Sequence, residues 1–132
     1  MGPEVLGHTG GAIPVGGILA MTGRLGAVPV LLAGDAAGLT NPVTGAGISA
    51  AVISGTLAGR AAVAWLLGDE QALEDYRDEV AEIFGPSIER ALRHRAELLK
   101  RYAGDERPSP HALRRGWIAY PDYWARDGRA TG

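Results

Sequence analysis

The length, composition and charge of this sequence limit it to one small folded domain of modest charge. Its 132 residues allow one domain at most, and 46% apolar with 21% charged residues is typical of a folded chain. The 13 Lys and Arg against 15 Asp and Glu give a net charge of −2, which excludes a global basic field for nucleic acid. Because the chain has no cysteine, disulfides, thiolate metal sites and cysteine nucleophiles are excluded, and we expect a cytoplasmic protein.

The first part of the chain predicts one extended piece and one strand. Residues 1–24 are rich in glycine and interrupted by Pro3 and Pro14, which predicts a short extended piece between turns. Residues 28–33 form a continuous apolar run, which is typical of a strand in a parallel sheet that is buried on both faces. We therefore predict a parallel strand there, followed by a loop over residues 34–44.

The remaining chain predicts helices and a tail. The three predicted helices cover residues 45–67, 69–84 and 87–102. Asp69 is the expected N-cap of the second helix, and the pair Gly85-Pro86 predicts where that helix ends. We divide the chain into residues 1–104 and an aromatic, basic tail of residues 105–132.

The most informative segment joins the predicted strand to the first helix. The apolar run ends at Gly34-Asp35, and after a turn-rich loop the chain enters the helix through Gly45-Ala46-Gly47. A carboxylate accepts hydrogen bonds from hydroxyls, while the unpaired N–H groups and positive dipole end of a helix attract anionic or electron-rich groups. Glycines let the backbone approach such a ligand closely. The pattern therefore predicts a site for a ligand that has both hydroxyls and negative charge.

The same segment resembles the C-terminal Gly-Asp motif of a class of flavoproteins. Residues 34–48 match the pattern G-D-A-A-G-x-x-N-P-x-T/S-G-x-G-I of the geranylgeranyl reductases and related FAD-dependent dehydrogenases. The aromatic-ring hydroxylases share this fold but usually place His where Gly38 stands, which favours the reductase branch. One departure is Ala46, where many relatives carry Glu.

The resemblance implies an α/β fold, the C-terminal portion of a Rossmann-like FAD-binding domain with one or few strands, a Gly-Asp loop and a run of helices. It implies that Asp35 accepts hydroxyls of the FAD ribityl chain and that backbone groups near Ala36 face the pyrophosphate. The edge of the isoalloxazine would lie along Pro42 and the glycines that follow. The residues implied to bind FAD are Gly34, Asp35, Ala36, Pro42, Gly45, Ala46, Gly47 and Ile48. Neither a catalytic residue nor a metal ligand is identified.

The other half of such a cofactor site is missing from the sequence. The missing half normally consists of a strand, a G-x-G-x-x-G turn and a helix, followed by an acid that binds the ribose. No such unit stands before Gly34. Residues 45–50 fit G-x-G-x-x-A, but ten residues separate them from the strand end, so we interpret the match as a by-product of the loop. We expect the chain to be the last third of a flavoprotein, completed by an N-terminal half or a partner chain.

Several features have two interpretations. Residues 48–67 could form a membrane helix with a small-xxx-small face, but Arg60 and the high alanine content favour a helix buried against a sheet. The basic run of residues 90–101 is interleaved with Glu and favours a solvated helix face, with contact to an acidic partner or lipid headgroups left open. The aromatic tail either packs or walls a substrate cavity, and packing is favoured. The three histidines share no metal-like spacing, and we expect them at the surface or in the tail.

Two classes of function follow. The first is an FAD-dependent oxidoreductase of the geranylgeranyl reductase type, which by resemblance reduces C=C bonds of polyprenyl substrates or performs a related dehydrogenation. Its partners would be FAD and an apolar substrate, without nucleic acid, and such a substrate would bring it into peripheral contact with a membrane. The alternative is a non-catalytic fragment or subunit that completes a flavin site with a partner chain.

Overall fold

The computed structural model describes residues 11–103, 107 and 109–125. Its elements are strands β1 (Thr22–Leu25) and β2 (Val28–Leu31), a short 3-10 helix (Gly34–Ala37), and helices α1 (Ile48–Leu66), α2 (Ala72–Tyr102), α3 (Pro110–Gly116) and α4 (Pro121–Trp124). This mixed α/β arrangement agrees with the predicted class and is compatible with part of a Rossmann-like domain. The division proposed at residue 104 lies outside the described residues and stays a prediction.

The sheet is an antiparallel hairpin. β1 pairs with β2 so that Thr22 lies opposite Leu31, and Gly26 makes the tight link between the strands with φ of 61°. The prediction of a parallel strand over residues 28–33, buried on both faces, is therefore wrong, and Val28 is largely exposed. An apolar run specifies a strand but not its partner, and a two-residue link lets the preceding segment pair locally before any distant strand can.

The helix α2 replaces two predicted helices, over residues 69–84 and 87–102, by one continuous element. Pro86 lies inside it, although proline removes one helix hydrogen bond and usually ends or kinks a helix. Val80 before the proline and Ile88 after it are both buried in the same core. The helix therefore continues because packing on both sides of Pro86 outweighs the local break.

The predicted helix ends differ by a few residues from the observed ones. α1 begins at Ile48 rather than at Gly45, because the glycines before it belong to the preceding loop. Asp69 does accept a hydrogen bond from the N–H of Gln71 at 3.1 Å, but it does so ahead of α2, which begins at Ala72.

The core lies where the hairpin, the 3-10 helix, α1 and α2 meet. Its buried members are Met21, Ala37, Leu39, Ala50, Leu57, Ala61, Tyr76, Val80 and Ile88. The hydroxyl of Tyr76 donates to the carbonyl oxygen of Leu32 at 2.6 Å, which ties α2 to the end of β2. Burial raises the pKa of Tyr76, because the charged phenolate would lose its hydration there.

The helices α3 and α4 pack on the C-terminal half of α2. His94 is buried, with Nε2 3.1 Å from the carbonyl oxygen of Tyr123 and the two rings 4.6 Å apart. The expectation of a surface histidine is therefore wrong for His94, because α4 covers it. Packing, the favoured role of the aromatic tail, is confirmed for Tyr123, which is buried. Trp117 and Trp124 are each about half exposed.

In the part of the chain that the structure describes, helix α1 is covered on one side only. Its length and composition would allow it to cross a membrane. Core helices of soluble proteins are often equally long and apolar. Among the described residues only 22% of its apolar window is buried, so burial of α1 against the sheet of a flavin domain stays a prediction. The 3-10 helix and α2 pack on the side of α1 that carries its buried residues, and the described residues leave the opposite side uncovered.

Candidate cofactor-binding site

An open cleft of about 410 Å³ lies between the end of β2 and the N-terminus of α1. Ala33 and Ala51 line it together with five of the eight residues predicted from the sequence. Those five residues are Gly34, Asp35, Gly45, Gly47 and Ile48. The chain thus brings the Gly-Asp turn and the glycines of the helix entrance into one cavity, although more than ten residues of sequence separate Asp35 from Gly47.

The other three predicted residues do not line the cleft. Ala36 is exposed in the 3-10 helix, and Ala46 is exposed in the loop, where its carbonyl accepts from the N–H of Asn41 at 2.9 Å. Pro42 is buried, and its carbonyl accepts from Nη1 of Arg95 at 3.1 Å. Contact of these three residues with a cofactor stays a prediction.

The carboxylate of Asp35 is exposed at the cleft and held in a defined orientation. Its Oδ1 accepts the hydroxyl of Thr40 at 2.5 Å, and Thr40 is only 1% exposed. Among the described residues no side chain caps the 3-10 helix, so Asp35 does not serve as its cap. A carboxylate has about four acceptor positions, and Thr40 uses one. The remaining positions can accept from the hydroxyls of a ligand in the cleft.

Glycine at position 47 lets this carboxylate lie beside the helix entrance. A Cβ on Gly47 would stand 2.7 Å from Oδ1 of Asp35 and 3.2 Å from Oγ1 of Thr40, which is too close for a side chain. The Asp35–Thr40 pair therefore occupies the space that a side chain would take. As a result, the acceptor and the N-terminus of α1 border the same cavity.

The N-terminus of α1 supplies the complementary donors. Gly47 is the N-cap residue of α1. In the part of the chain that the structure describes, no side chain caps the N-terminus of α1, and the first turn of α1 has no acidic residue. The first N–H groups of a helix have no partner within the helix, and its N-terminus carries a partial positive charge. The cleft thus presents a carboxylate acceptor on one wall and unpaired donors on another.

Buried Ser54 fixes the distance between these two walls. Its Oγ accepts the N–H of Gly34 at 2.9 Å and donates to the carbonyl of Ala50 at 2.6 Å. Gly34 has a φ of +54°, and a Cβ there would lie 2.9 Å from Cβ of Ala51. The turn after β2 can therefore pack directly on the first turns of α1.

The loop between the walls is held by its own hydrogen bonds. Oδ1 of Asn41 accepts the N–H groups of Val43 and Thr44 at 2.9 and 3.0 Å. The N–H of Gly45 donates to the carbonyl of Asn41 at 2.9 Å. The loop is consequently preorganised rather than dependent on a ligand for its shape.

Three residues that support the cleft were not predicted from the sequence. Thr40 lies inside the recognised motif, so its position five residues after Asp35 was an available signal. Ser54 stands in the small-residue run of α1, where a polar residue on the core side was a weaker signal. Arg95 has no local signal, because it stands 53 positions after Pro42 in the sequence.

Comparison with known proteins gives two partial matches. Over 92 residues the chain is 39% identical to digeranylgeranylglycerophospholipid reductase 1 of Methanopyrus kandleri, covering 67% of this chain and 24% of the relative. Over 66 residues it is 36% identical to digeranylgeranylglycerophospholipid reductase 3 of Methanosphaera stadtmanae, covering 48% of this chain and 17% of the relative. The matches support a relationship to the geranylgeranyl reductase family.

This relationship extends over part of the chain. The chain spans about a quarter or less of the length of the curated relatives it matches. No family model matches the chain, and no solved structure matches it. The reductase names agree with the branch that the Gly-Asp motif indicated.

Proposed function

We propose that this chain is the C-terminal part of the FAD domain of an oxidoreductase that reduces C=C bonds of polyprenyl groups. The cleft between Asp35 and the N-terminus of α1 carries this proposal, because it pairs a hydroxyl acceptor with unpaired backbone donors. The names of the two relatives support the reductase over a non-catalytic subunit.

The residues of the cleft fit FAD. Asp35 would accept hydroxyls of the ribityl chain, and the absence of a Cβ at Gly47 leaves the carboxylate beside the helix entrance. The first N–H groups of α1 would point toward the electron-rich edge of the isoalloxazine and favour negative charge there. When bound, FAD supplies hydride transfer, while this chain binds the cofactor, orients it and tunes its charge.

We further propose that another segment or a partner chain completes the adenosine side of the site. The chain by itself should therefore bind FAD weakly or not at all, whereas the completed protein should bind it. Titration of FAD into each, followed by flavin absorbance and fluorescence, measures the difference. A tight yellow complex formed by these 132 residues alone would contradict the proposed division of the site.

We propose in addition a cytoplasmic protein whose C-terminal end contacts anionic lipid headgroups. Residues 90–132 carry ten Lys and Arg against five Asp and Glu, whereas residues 1–89 carry three against ten. The basic end also presents Trp117 and Trp124, each about half exposed, and Trp and Tyr favour membrane interfaces.

Vesicle sedimentation tests this contact. Vesicles containing phosphatidylglycerol should retain the protein and pure phosphatidylcholine vesicles should not. The double variant Arg93→Glu/Lys100→Glu should lose most of the retention, because both residues are exposed on the basic half of α2. Arg77→Glu, an exposed reversal on the acidic half, is the control and should change little. Equal retention by both kinds of vesicle would reject the contact.

A further inference from the structure

One turn of α2 reaches across to the loop of the cofactor cleft. Arg95 is partly buried, and its Nη1 donates to the carbonyl oxygen of Pro42 at 3.1 Å. Pro42 is itself buried and belongs to the loop that joins the two walls of the cleft. The bond connects positions 53 apart in the sequence, so it ties this loop to a distant part of the fold.

The same part of α2 also supports the wall that carries Asp35. Leu92, one helical turn before Arg95, packs against Gly17, where a Cβ would stand 2.9 Å from Cδ1 of Leu92. Gly17 in turn packs against Gly38, where a side chain would collide with the carbonyl oxygen of Gly17. Gly38 is the C-cap of the 3-10 helix that contains Asp35. This turn of α2 therefore holds both the Asp35 wall and the loop that follows it.

The internal hydrogen bonds of the loop fix its shape but not its position. Asn41 accepts three N–H groups of the loop itself, and these bonds would move with the loop as one unit. The hydrogen bond from Arg95 joins this unit to α2. The loop leads directly to Gly45 and Gly47, which line the cleft. Arg95 is therefore placed to set where these two glycines lie relative to Asp35.

The charge of Arg95 also acts on this region. Within residues 11–103, 107 and 109–125, no carboxylate forms an ion pair with its guanidinium. Because the side chain is partly buried, its positive charge is screened less than that of a fully exposed cation. This charge adds to the partial positive charge at the N-terminus of α1, which borders the cleft.

We infer that Arg95 is a positioning residue of the cofactor site and that its charge favours the reduced form of the bound flavin. This inference rests on the proposed function and adds a residue of α2 to a site otherwise lined by residues 33–51. The guanidinium acts through the loop and through its electric field, without contact to the reacting atoms. Reduced flavin carries more negative charge than oxidised flavin, so loss of the cation should weaken binding of the reduced form more.

NMR of the 132-residue chain tests the positioning role without any cofactor. Arg95→Met should shift the amide resonances of Gly45 and Gly47 and introduce microsecond-to-millisecond exchange, seen by relaxation dispersion, because the loop is no longer tied to α2. Arg95→Lys keeps a charged donor of similar reach and should stay close to wild type. Arg77→Met makes the same replacement at an exposed position of α2 and is the control, which should leave both glycines unchanged.

Flavin binding and flavin potential in the completed protein test the role of the charge. Arg95→Met should weaken binding of oxidised FAD by roughly tenfold, because the displaced loop no longer presents its donors. Binding of reduced FAD should weaken by roughly a further tenfold, which lowers the potential of a two-electron couple by about 30 mV. Arg95→Lys should restore the potential, since the charge remains, and Arg77→Met should change neither quantity.

The outcomes separate this inference from the proposed function. Failure of the completed wild-type protein to bind FAD overturns the proposed function and the flavin role of Arg95, while the NMR measurement still decides whether Arg95 positions the loop. If wild type binds FAD and Arg95→Met matches it in glycine resonances, affinity and potential, the inference is overturned and the proposed function stands. A potential that Arg95→Met leaves unchanged, or that Arg95→Lys fails to restore, also overturns the inference, because a purely structural role would give that result.

Discussion

Asp35→Ala provides the sharpest test of the cofactor site. In the completed protein this substitution removes the carboxylate that lines the cleft while leaving the glycines and the N-terminus of α1 in place. A hydrogen bond from a ligand hydroxyl to a charged acceptor is worth about 1.5–3 kcal/mol. Loss of two such bonds, about 3–6 kcal/mol together, would lower the affinity for FAD by roughly a hundredfold or more, since each ~1.4 kcal/mol is a factor of ten.

The structure also predicts an effect of Asp35→Ala on stability. Thr40 is 1% exposed and donates its hydroxyl to Oδ1 of Asp35, so the variant leaves a buried donor without this acceptor. Such a loss costs about 1–3 kcal/mol. The double variant Asp35→Ala/Thr40→Val removes both partners, and it should recover most of the stability without recovering the affinity for FAD.

FAD titration and urea unfolding of these variants separate the two roles of the carboxylate. Glu79→Ala, which removes an exposed acid on α2, is the control and should leave both measurements unchanged. Wild-type affinity for FAD in Asp35→Ala would refute the ligand role of Asp35. Recovery of affinity in the double variant would show that Asp35 acts only by keeping the loop folded.

Two further substitutions test how the cleft is anchored. Tyr76→Phe removes the hydrogen bond to the carbonyl of Leu32 and should lower the free energy of unfolding by about 1 kcal/mol. Burial raises the pKa of Tyr76 in the folded state. The contribution of Tyr76 to the free energy of unfolding is therefore present below the unfolded pKa of about 10 and is lost as pH rises toward the folded pKa. Urea unfolding at pH 9 and pH 11 should therefore show a smaller difference between wild type and variant at the higher pH, and an unchanged difference would argue against this explanation. Ser54→Ala should cost about 1–3 kcal/mol, since the N–H of Gly34 loses its buried acceptor. A urea midpoint equal to that of wild type would show that the Ser54 hydrogen bond does not anchor the turn.

The segment of residues 34–48 could be interpreted from the sequence because its structure is decided locally. A glycine that takes a positive φ, an acid at a strand end and small residues at a helix entrance act on their immediate neighbours. The cleft accordingly forms where the pattern indicated, with Asp35 and Gly47 on its walls. Thr40 belongs to the same local unit, because it lies five residues from Asp35 and orients it.

The contacts between distant segments could not be obtained in this way. Pro86 carries a strong local signal for a helix end, and only the burial of Val80 and Ile88 against the rest of the chain overrides it. The hydrogen bond from Arg95 to Pro42 joins residues 53 positions apart, and nothing in either sequence neighbourhood indicates it.

The sequence by itself determined the Gly-Asp turn and the glycine-rich helix entrance, since both depend on short-range backbone sterics and hydrogen bonding, and it carried the resemblance to the geranylgeranyl reductases. Only the tertiary structure decided that β2 pairs in an antiparallel hairpin, that α2 continues through Pro86 and that the described residues leave one side of α1 uncovered. These outcomes depend on which surfaces meet. A pattern of apolar residues specifies that a surface will be buried, but the three-dimensional arrangement specifies what buries it.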